Sequence, residues 1–179
     1  MEGARLVMQQ FANTVAMPWL GRSRRMGTTK NPREKARVRV PSRAEDVGMV
    51  RKFIRALSGV DGFAEDDMLS IEVAVGEALA NAVRHGSPRG EDDTVEVTYT
   101  VDAGAIEVSV HDHGKGFDLQ QHLLHVDPQS LCEGERGLFL IAALMDEVAY
   151  TRTPSGGCLS IRKSLPGAAP PSDRGFFGV

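Results

Sequence analysis

The sequence predicts an α+β protein that folds as a two-layer sandwich, with helices packed on one face of a mixed, mostly antiparallel sheet. Segments with the helical spacing of apolar residues and segments with the alternation of strands are grouped, in the order strand, helix, helix, strand, strand, helix, strand, strand. Short turns join two pairs of strands into hairpins. Grouped elements of this kind indicate a sheet covered by helices on one side, rather than a strictly alternating parallel fold.

Length and composition limit the domain count and the classes of function. The 179 residues, 41% hydrophobic and 25% charged, suit one soluble globular domain. A net charge of -3 disfavours direct binding to nucleic acid, and no apolar run approaches the ~20 residues that cross a bilayer. Cys132 and Cys158 have no metal-like spacing. We therefore expect a reduced, cytoplasmic setting without membrane attachment.

The folded domain is expected to span residues 37–165, between two extensions. Residues 1–36 lack sustained periodicity and become basic in their second half, which indicates a disordered extension. Residues 166–179 are rich in proline and glycine, so we expect a disordered tail.

Apolar spacing and turn residues predict the elements of the domain. Three helices are expected, over 43–58, 65–84 and 138–145. The strands are expected from Arg37 to Pro41 and over 94–101, 105–111, 147–153 and 157–165. Residues 114–134 are polar and irregular, and their length indicates a functional loop such as a lid.

The second helix carries an unusual polar edge. Glu77, Asn81 and His85 are four residues apart and therefore lie along one helix face. A carboxylate, an amide and an imidazole thus share that edge. Taken alone, Glu77 and Asn81 are also compatible with ordinary solvent-facing residues.

A second motif follows the third predicted strand, in the run from His111 to Phe117. Asp112 ends the strand, and Gly114 and Gly116 come directly after it. Such glycines permit close approach of the backbone to a ligand. A buried Asp112 could accept a hydrogen bond from the exocyclic amine of a base. An ordinary Asp-x-Gly turn is the competing interpretation.

A third motif, Gly134-Glu135-Arg136-Gly137-Leu138, precedes the last predicted helix. The free amides and positive end of a helix suit a phosphate, and Arg136 could add charge-assisted hydrogen bonds. A glycine cap before an ordinary helix is the competing interpretation.

Together, the three motifs occur in the order and at the separations typical of the GHKL superfamily of gyrase, heat-shock chaperone, histidine kinase and mismatch-repair ATPases. The run from Glu72 to Gly86 most resembles the anti-sigma-factor serine/threonine kinases, and so does the run from Leu144 to Val148. The resemblance covers about residues 37–163. It implies the Bergerat, or histidine-kinase-like ATPase, fold.

The resemblance also implies roles for individual residues. Asn81 would be the Mg²⁺ ligand, and Glu77 would be the general base that acts on the substrate serine. Asp112 would bind adenine. The remaining expected nucleotide-binding residues are Arg84, His85, Gly114, Gly116, Arg136, Gly137 and Leu138.

By the same resemblance, the chain would use ATP and Mg²⁺, bind a sigma factor and phosphorylate an anti-anti-sigma protein of the STAS type. Members of the family often form homodimers, for which the exposed face of the first strand and helix is a candidate surface. A histidine kinase is less favoured, because it usually has asparagine at the position of Glu77. Two further functions fit the same motifs: an ATPase that activates water with this glutamate, and a non-catalytic, nucleotide-dependent binding module.

One residue departs from the family pattern. Glu135 stands where members commonly carry glycine, so an acid is expected close to the phosphates. Because of this departure, the sequence is also compatible with the non-catalytic binding module.

Overall fold

The computed structural model describes residues 33–61, 63–102, 104–119, 133–165 and 177–178. Its helices are α1 (Ala44–Val60), α2 (Glu65–His85) and α3 (Glu133–Leu144). Its strands are β1 (Arg33–Pro41), β2 (Thr94–Asp102), β3 (Ala105–Asp112), β4 (Glu147–Thr153), β5 (Gly156–Ser164) and β6 (Phe177–Gly178). A short 3-10 turn, Gly90–Asp92, precedes β2.

The strands form one sheet in the order β1-β2-β3-β5-β4-β6. The predicted α+β sandwich is confirmed. The described strand pairs are all antiparallel, so the sheet is antiparallel throughout rather than mixed. The chain enters β4 from α3 and then turns back, which places β5 antiparallel to both β3 and β4.

The alternating apolar residues line up across the sheet on the side that faces the helices. One row runs through Val38, Val97, Val110, Leu159 and Tyr150, each paired with the next strand. A parallel row runs through Ala36, Tyr99, Val108, Ile161 and Val148, all of them buried. Because side chains alternate between the two faces of a strand, this register brings one continuous apolar surface against the helices.

Helix α2 lies between α1 and α3 and supplies most of the helical side of the core. Its residues Ile71, Ala74, Val75, Ala78 and Leu79 are almost inaccessible to solvent. On its outer side, Glu72 accepts hydrogen bonds from Arg51 and Arg55 of α1. These ion pairs join the two helices at the edge of the apolar contact.

Two elements begin more than two residues away from the predicted position, and one strand was not predicted. β1 begins at Arg33 and not at Arg37, because a bulge between Glu34 and Ala36 interrupts the alternation that marks a strand. α3 begins at Glu133 and not after Gly137. Acidic residues are favourable in the first turn of a helix, and the helix continues through Gly134 and Gly137. Phe177 and Gly178 of the predicted tail form β6, which pairs with β4 at Val148 and Glu147. A strand of two residues is too short to show an alternating pattern in the sequence.

The rest of the predicted extension (1–32), most of the predicted lid (120–132) and the tail residues 166–176 and 179 lie outside the described residues. Within the described residues, no helix combines the length and the apolar character that spanning a membrane requires.

Candidate active site

A cavity of about 540 Å³ opens between α2, the end of β3, residues within β4 and β5, and the middle of α3. This volume is within the range of small-molecule sites in proteins, about 300–1,000 Å³. Apolar side chains and glycine backbone dominate the wall, with a few polar groups among them. The lining residues are Ala78, Asn81, Ala82, His85, Gly86, Pro88, Val110, Asp112, Gly114, Lys115, Gly116, Phe117, Leu138, Tyr150 and Leu159.

Asp112 occupies one end of the cavity, where β3 stops. Its Oδ1 accepts a hydrogen bond from the Gly114 amide at 2.8 Å, which fixes the carboxylate. The His113 amide in turn donates to the Gly86 carbonyl oxygen at 2.9 Å and ties β3 to the end of α2. The second carboxylate oxygen is the group left to accept a hydrogen bond from a ligand. We call this region, formed by Asp112, Gly86 and Gly114, the base end, after the ligand group that the sequence predicts there.

Glycine is required at the base end because backbone segments approach each other closely. A Cβ atom on Gly114 would lie 2.8 Å from the Gly86 Cα and 3.0 Å from the His85 carbonyl oxygen. A Cβ on Gly86 would overlap the Asp112 side chain. The glycines thus allow α2 and β3 to meet at the carboxylate.

The floor of the cavity is apolar and ends in an aromatic pair. Val110, Leu159 and Tyr150 follow one another across β3, β5 and β4. The Tyr150 and Phe117 rings are 4.2 Å apart between centroids and tilted by 37°. Such a surface suits the flat, apolar face of a purine.

The Tyr150 hydroxyl is enclosed by the protein. Its Oη is shielded from solvent and forms no hydrogen bond of ordinary geometry with the described residues, although the backbone of Phe117 approaches it. Burial raises the pKa of Tyr150, and the nearby Asp112 carboxylate adds to the rise. The phenol therefore stays neutral at physiological pH.

The opposite end of the site is formed by Glu77, Asn81 and Gly137, and we call it the phosphate end, after the ligand group that the sequence predicts there. Asn81 lines the cavity, and Glu77 lies one turn earlier on the same face of α2. Gly137 of α3 packs on both: a Cβ there would lie 2.9 Å from Glu77 Oε2 and 3.5 Å from Asn81 Oδ1. The side-chain hydrogen of glycine is what lets α3 approach these two polar groups.

Asn81 Oδ1 is the notable atom of the phosphate end. It is shielded from solvent and has no hydrogen-bond partner among the described residues. Leaving a buried acceptor unsatisfied costs about 1–3 kcal/mol, and an amide oxygen is a suitable ligand for Mg²⁺. The same part of the chain contains no cluster of three acidic, histidine or cysteine side chains that could hold a metal alone. An ion bound here would therefore take its other ligands from phosphate oxygens and water.

The glycine motif at α3 is placed differently from the sequence-based expectation. It lies inside the helix, so the free amides are those of the first turn near Glu133 and not those of Gly137. Leu138 lines the cavity, whereas the Arg136 side chain is exposed and lies outside the lining. The side chain of Glu135 lies outside the described residues.

The remaining predicted residues divide between the cavity and the surface. His85 and Gly116 line the cavity. The structure does not bring Arg84 into the site: its side chain is exposed and its Nε donates to the Ala80 carbonyl oxygen. Arg84 precedes His85 by one residue, which turns it about 100° around the helix and away from the polar edge.

Sequence reasoning missed several lining residues, chiefly Phe117, Tyr150, Leu159 and Lys115. Phe117 and Lys115 belong to the glycine motif itself, so their place beside Asp112 was accessible from the sequence. Tyr150 and Leu159 reach the cavity through the pairing of β4 with β5 and of β5 with β3. No local signal marks such a pairing.

Comparisons with known proteins identify the family of the chain. Residues 40–163 match the family described as the histidine kinase-like ATPase domain. The serine-protein kinase RsbW of Bacillus subtilis (strain 168) is 31% identical over 145 residues, which cover 77% of this chain and 90% of that protein. RsbW of Bacillus licheniformis (strain ATCC 14580) is 34% identical over 134 residues, 70% of this chain and 82% of that protein.

RsbW of Listeria monocytogenes serovar 1/2a is 31% identical over 122 residues, which cover 64% of this chain and 78% of that protein. The family match includes α1, α2, α3 and the strands β2 to β4, hence both ends of the cavity. The chain therefore belongs to the histidine kinase-like ATPase family and, within it, to the group of the RsbW serine-protein kinases.

Proposed function

We propose that this protein is an ATP-dependent serine/threonine kinase that acts as an anti-sigma factor: it binds a sigma factor and phosphorylates an anti-anti-sigma protein of the STAS type. The observation that carries the proposal is the juxtaposition of a carboxylate, Glu77, with the unpartnered amide oxygen of Asn81 beside a cavity that can hold a nucleotide. The similarity to the serine-protein kinases RsbW supports the choice of serine as the acceptor.

In the proposed complex, adenine lies at the base end. Its exocyclic amine donates to Asp112, whose other oxygen is held by the Gly114 amide. The aromatic and aliphatic floor covers one face of the base. The phosphates point along α2 towards Asn81, with His85 at the side of the cavity and Leu138 above it.

The proposed reaction transfers the γ-phosphoryl group to a serine hydroxyl of the partner protein. The serine oxygen forms a bond to the γ-phosphorus, the bond from that phosphorus to the β–γ bridging oxygen breaks, and ADP leaves. Glu77 accepts the proton of the hydroxyl. Much of the rate in such transfers comes from positioning and charge stabilisation. The contact of α3 with Glu77 and Asn81 therefore bears directly on catalysis.

Asn81 is the residue that would hold Mg²⁺, since its Oδ1 is buried and unpartnered among the residues that the structure describes. The bound ion would neutralise charge on the β- and γ-phosphates. We assign no further protein ligand, because no group of three or more acidic, histidine or cysteine side chains that could hold a metal occurs in the described residues.

Two further parts of the proposal concern partners and setting. Sigma-factor binding and the STAS-type substrate are proposed from the family resemblance of the sequence, and we propose the cytoplasm as the place where ATP and both partners meet. A non-catalytic binding module, or an ATPase that uses water as the nucleophile, would keep the same nucleotide site. They differ from the kinase only in the fate of the γ-phosphate.

Phosphate transfer tests the proposal. The purified protein and its Glu77→Gln variant are given ATP labelled in the γ-phosphate, Mg²⁺ and a candidate STAS-type protein, and ATP affinity is measured in parallel by calorimetry. We expect label on serine or threonine with the wild type, and a rate at least about 100-fold lower with Glu77→Gln at similar ATP affinity. Binding without transfer to the partner would contradict the kinase assignment, and free phosphate released instead would favour the ATPase.

A further inference from the structure

The cavity has a wall next to Asp112 that is closed by one large side chain, Tyr150. The ring extends from β4 over β5: its Oη lies next to Gly157, two residues along β5 from its own strand partner Leu159. Gly157 is in turn the strand partner of Asp112 on β3. The tip of Tyr150 therefore lies beside the carboxylate that we propose for the exocyclic amine.

Two glycines leave the space that the tip occupies. A Cβ on Gly116 would lie 2.9 Å from Oη, and a Cβ on Gly157 would overlap Oη. Gly116 has a positive φ of 76°, so its backbone independently favours glycine. Gly157 is not among the positive-φ glycines, and its backbone would accept a side chain. Glycine is thus required at position 157 only because the tip of Tyr150 occupies the space that a side chain at 157 would need.

Neighbouring groups hold the ring in this position. The Phe117 ring packs on it at 4.2 Å between centroids, and Arg152 lies beside the same glycine turn, with its Nε 2.8 Å from the Cβ position of Gly116. Oη is shielded from solvent and makes no ordinary hydrogen bond with the described residues. The contribution of Tyr150 to the cavity is therefore its volume rather than a hydrogen bond.

We propose that Tyr150 determines the size of the base pocket, closing the space beyond the exocyclic amine so that ATP fits and ATP analogues with a bulky N6 substituent are excluded. This inference rests on the proposed binding of ATP at Asp112. It assigns a specificity-determining role to the pair of Tyr150 and Gly157. The Tyr150 side chain closes the pocket, and the lack of a side chain at Gly157 leaves the space for its ring.

The test measures the affinities of ATP and N6-benzyl-ATP by calorimetry for the wild type, Tyr150→Val, Tyr150→Phe and the double variant Tyr150→Val/Gly157→Val. We expect the wild type to favour ATP by at least about tenfold, and Tyr150→Val to reduce that preference by about tenfold or more. Tyr150→Phe keeps the ring and should stay close to the wild type. In the double variant, the valine at 157 refills the space and should restore the preference.

Thermal unfolding adds a readout that is independent of nucleotide. Gly157→Val alone should lower Tm because its side chain meets Oη, and Tyr150→Val in the same chain should recover most of the loss, since the two changes share one volume. Additive losses in the double variant would overturn the pairing.

The outcomes separate this inference from the proposed function. If the wild type does not bind ATP, the proposed function fails and the inference falls with it. If the wild type binds ATP and Tyr150→Val leaves the preference unchanged, only the inference is overturned. The same holds if Tyr150→Phe loses the preference as fully as Tyr150→Val, because the hydroxyl and not the volume would then set it.

Discussion

The two ends of the cavity are built in opposite ways. At the base end, Asp112 is held by the Gly114 amide, and the backbones of Gly86 and Gly114 lie in close contact. At the phosphate end, Asn81 Oδ1 is buried without a partner in the described part of the chain, and Arg136 is exposed. In the proposed site, the backbone and the carboxylate of the base end are thus in place without a nucleotide, whereas the phosphate end has a buried polar atom for which a ligand would be the partner.

This difference follows from where the residues come from. The base end joins the end of β3 to the end of α2, and both are fixed by strand pairing and by the core. The phosphate end depends on how α3 packs against α2, and Gly137, in the second turn of α3, supplies that contact. We expect base recognition to be insensitive to changes near α3, and catalysis to be sensitive to them.

The largest predicted change in affinity is the loss of adenosine binding when the Asp112 carboxylate at the base end is replaced. In Asp112→Asn, the side-chain oxygen of the asparagine accepts the hydrogen bond from the Gly114 N–H, so its NH₂ group faces the exocyclic amine of adenine. Two donors then face each other and no hydrogen bond forms. Adenosine affinity should fall about ten- to a hundredfold. Calorimetry with adenosine measures the loss, and Arg84→Ala, a variant of an exposed neighbour outside the cavity, is the matched control. Equal losses in both variants would contradict the assigned place of the base.

A second prediction concerns the close approach of backbones that completes the base end. In Gly114→Ala, the added Cβ meets the Gly86 Cα and the His85 carbonyl oxygen, which are backbone atoms with little freedom to move. The free energy of unfolding should fall by about 1–3 kcal/mol, together with adenosine affinity. Denaturant titration gives the stability. A variant as stable as the wild type would mean that this contact is looser than the structure has it.

A smaller effect is expected from the loop that leads from the base end to β2. Asp93 accepts hydrogen bonds from the side chain and the backbone amide of Arg89, which hold the pKa of its carboxyl below the usual range. A lowered pKa in the folded state means that the ionised carboxylate stabilises the fold at neutral pH. That contribution is lost as the pH falls below the usual Asp pKa of about 4.

Asp93→Asn should therefore lower Tm most near pH 7, and its difference from the wild type should shrink as the pH falls into the acid range. Thermal unfolding at a series of pH values checks this. A difference that stays constant with pH would show that the ionised carboxylate is not what holds the loop.

Sequence reasoning placed the candidate residues best where they lie within one element. The four-residue spacing of Glu77, Asn81 and His85 places them on one edge of α2, and Asp112 with Gly114 follows from the end of a strand. Both inferences need only helix and strand geometry. The alternation in β2 and β3 likewise predicted the buried rows of the sheet.

What the sequence left out depends on contacts between distant elements. Tyr150 enters the cavity only because β4 pairs with β5 in one register, and a glycine at 157 leaves room for its tip. The start of α3 was misplaced because its glycines resemble a cap, although the helix continues through them. Arg84 was included through the family resemblance, but it lies one residue from His85, and a step of one residue turns a helical side chain to another face.

Substitution of Asn81 is the most direct test of the account, in which the base end is formed without a ligand and the phosphate end needs Mg²⁺ and phosphate to complete it. Affinities for adenosine and ATP, each with and without Mg²⁺, are measured by calorimetry for the wild type and Asn81→Ala. We predict that adenosine affinity is retained in the variant while the Mg²⁺-dependent part of ATP affinity is lost, since Asn81 Oδ1 is the protein oxygen available to the ion. An Asn81→Ala variant that keeps the full Mg²⁺ dependence, or that loses adenosine as well as ATP, would contradict this account.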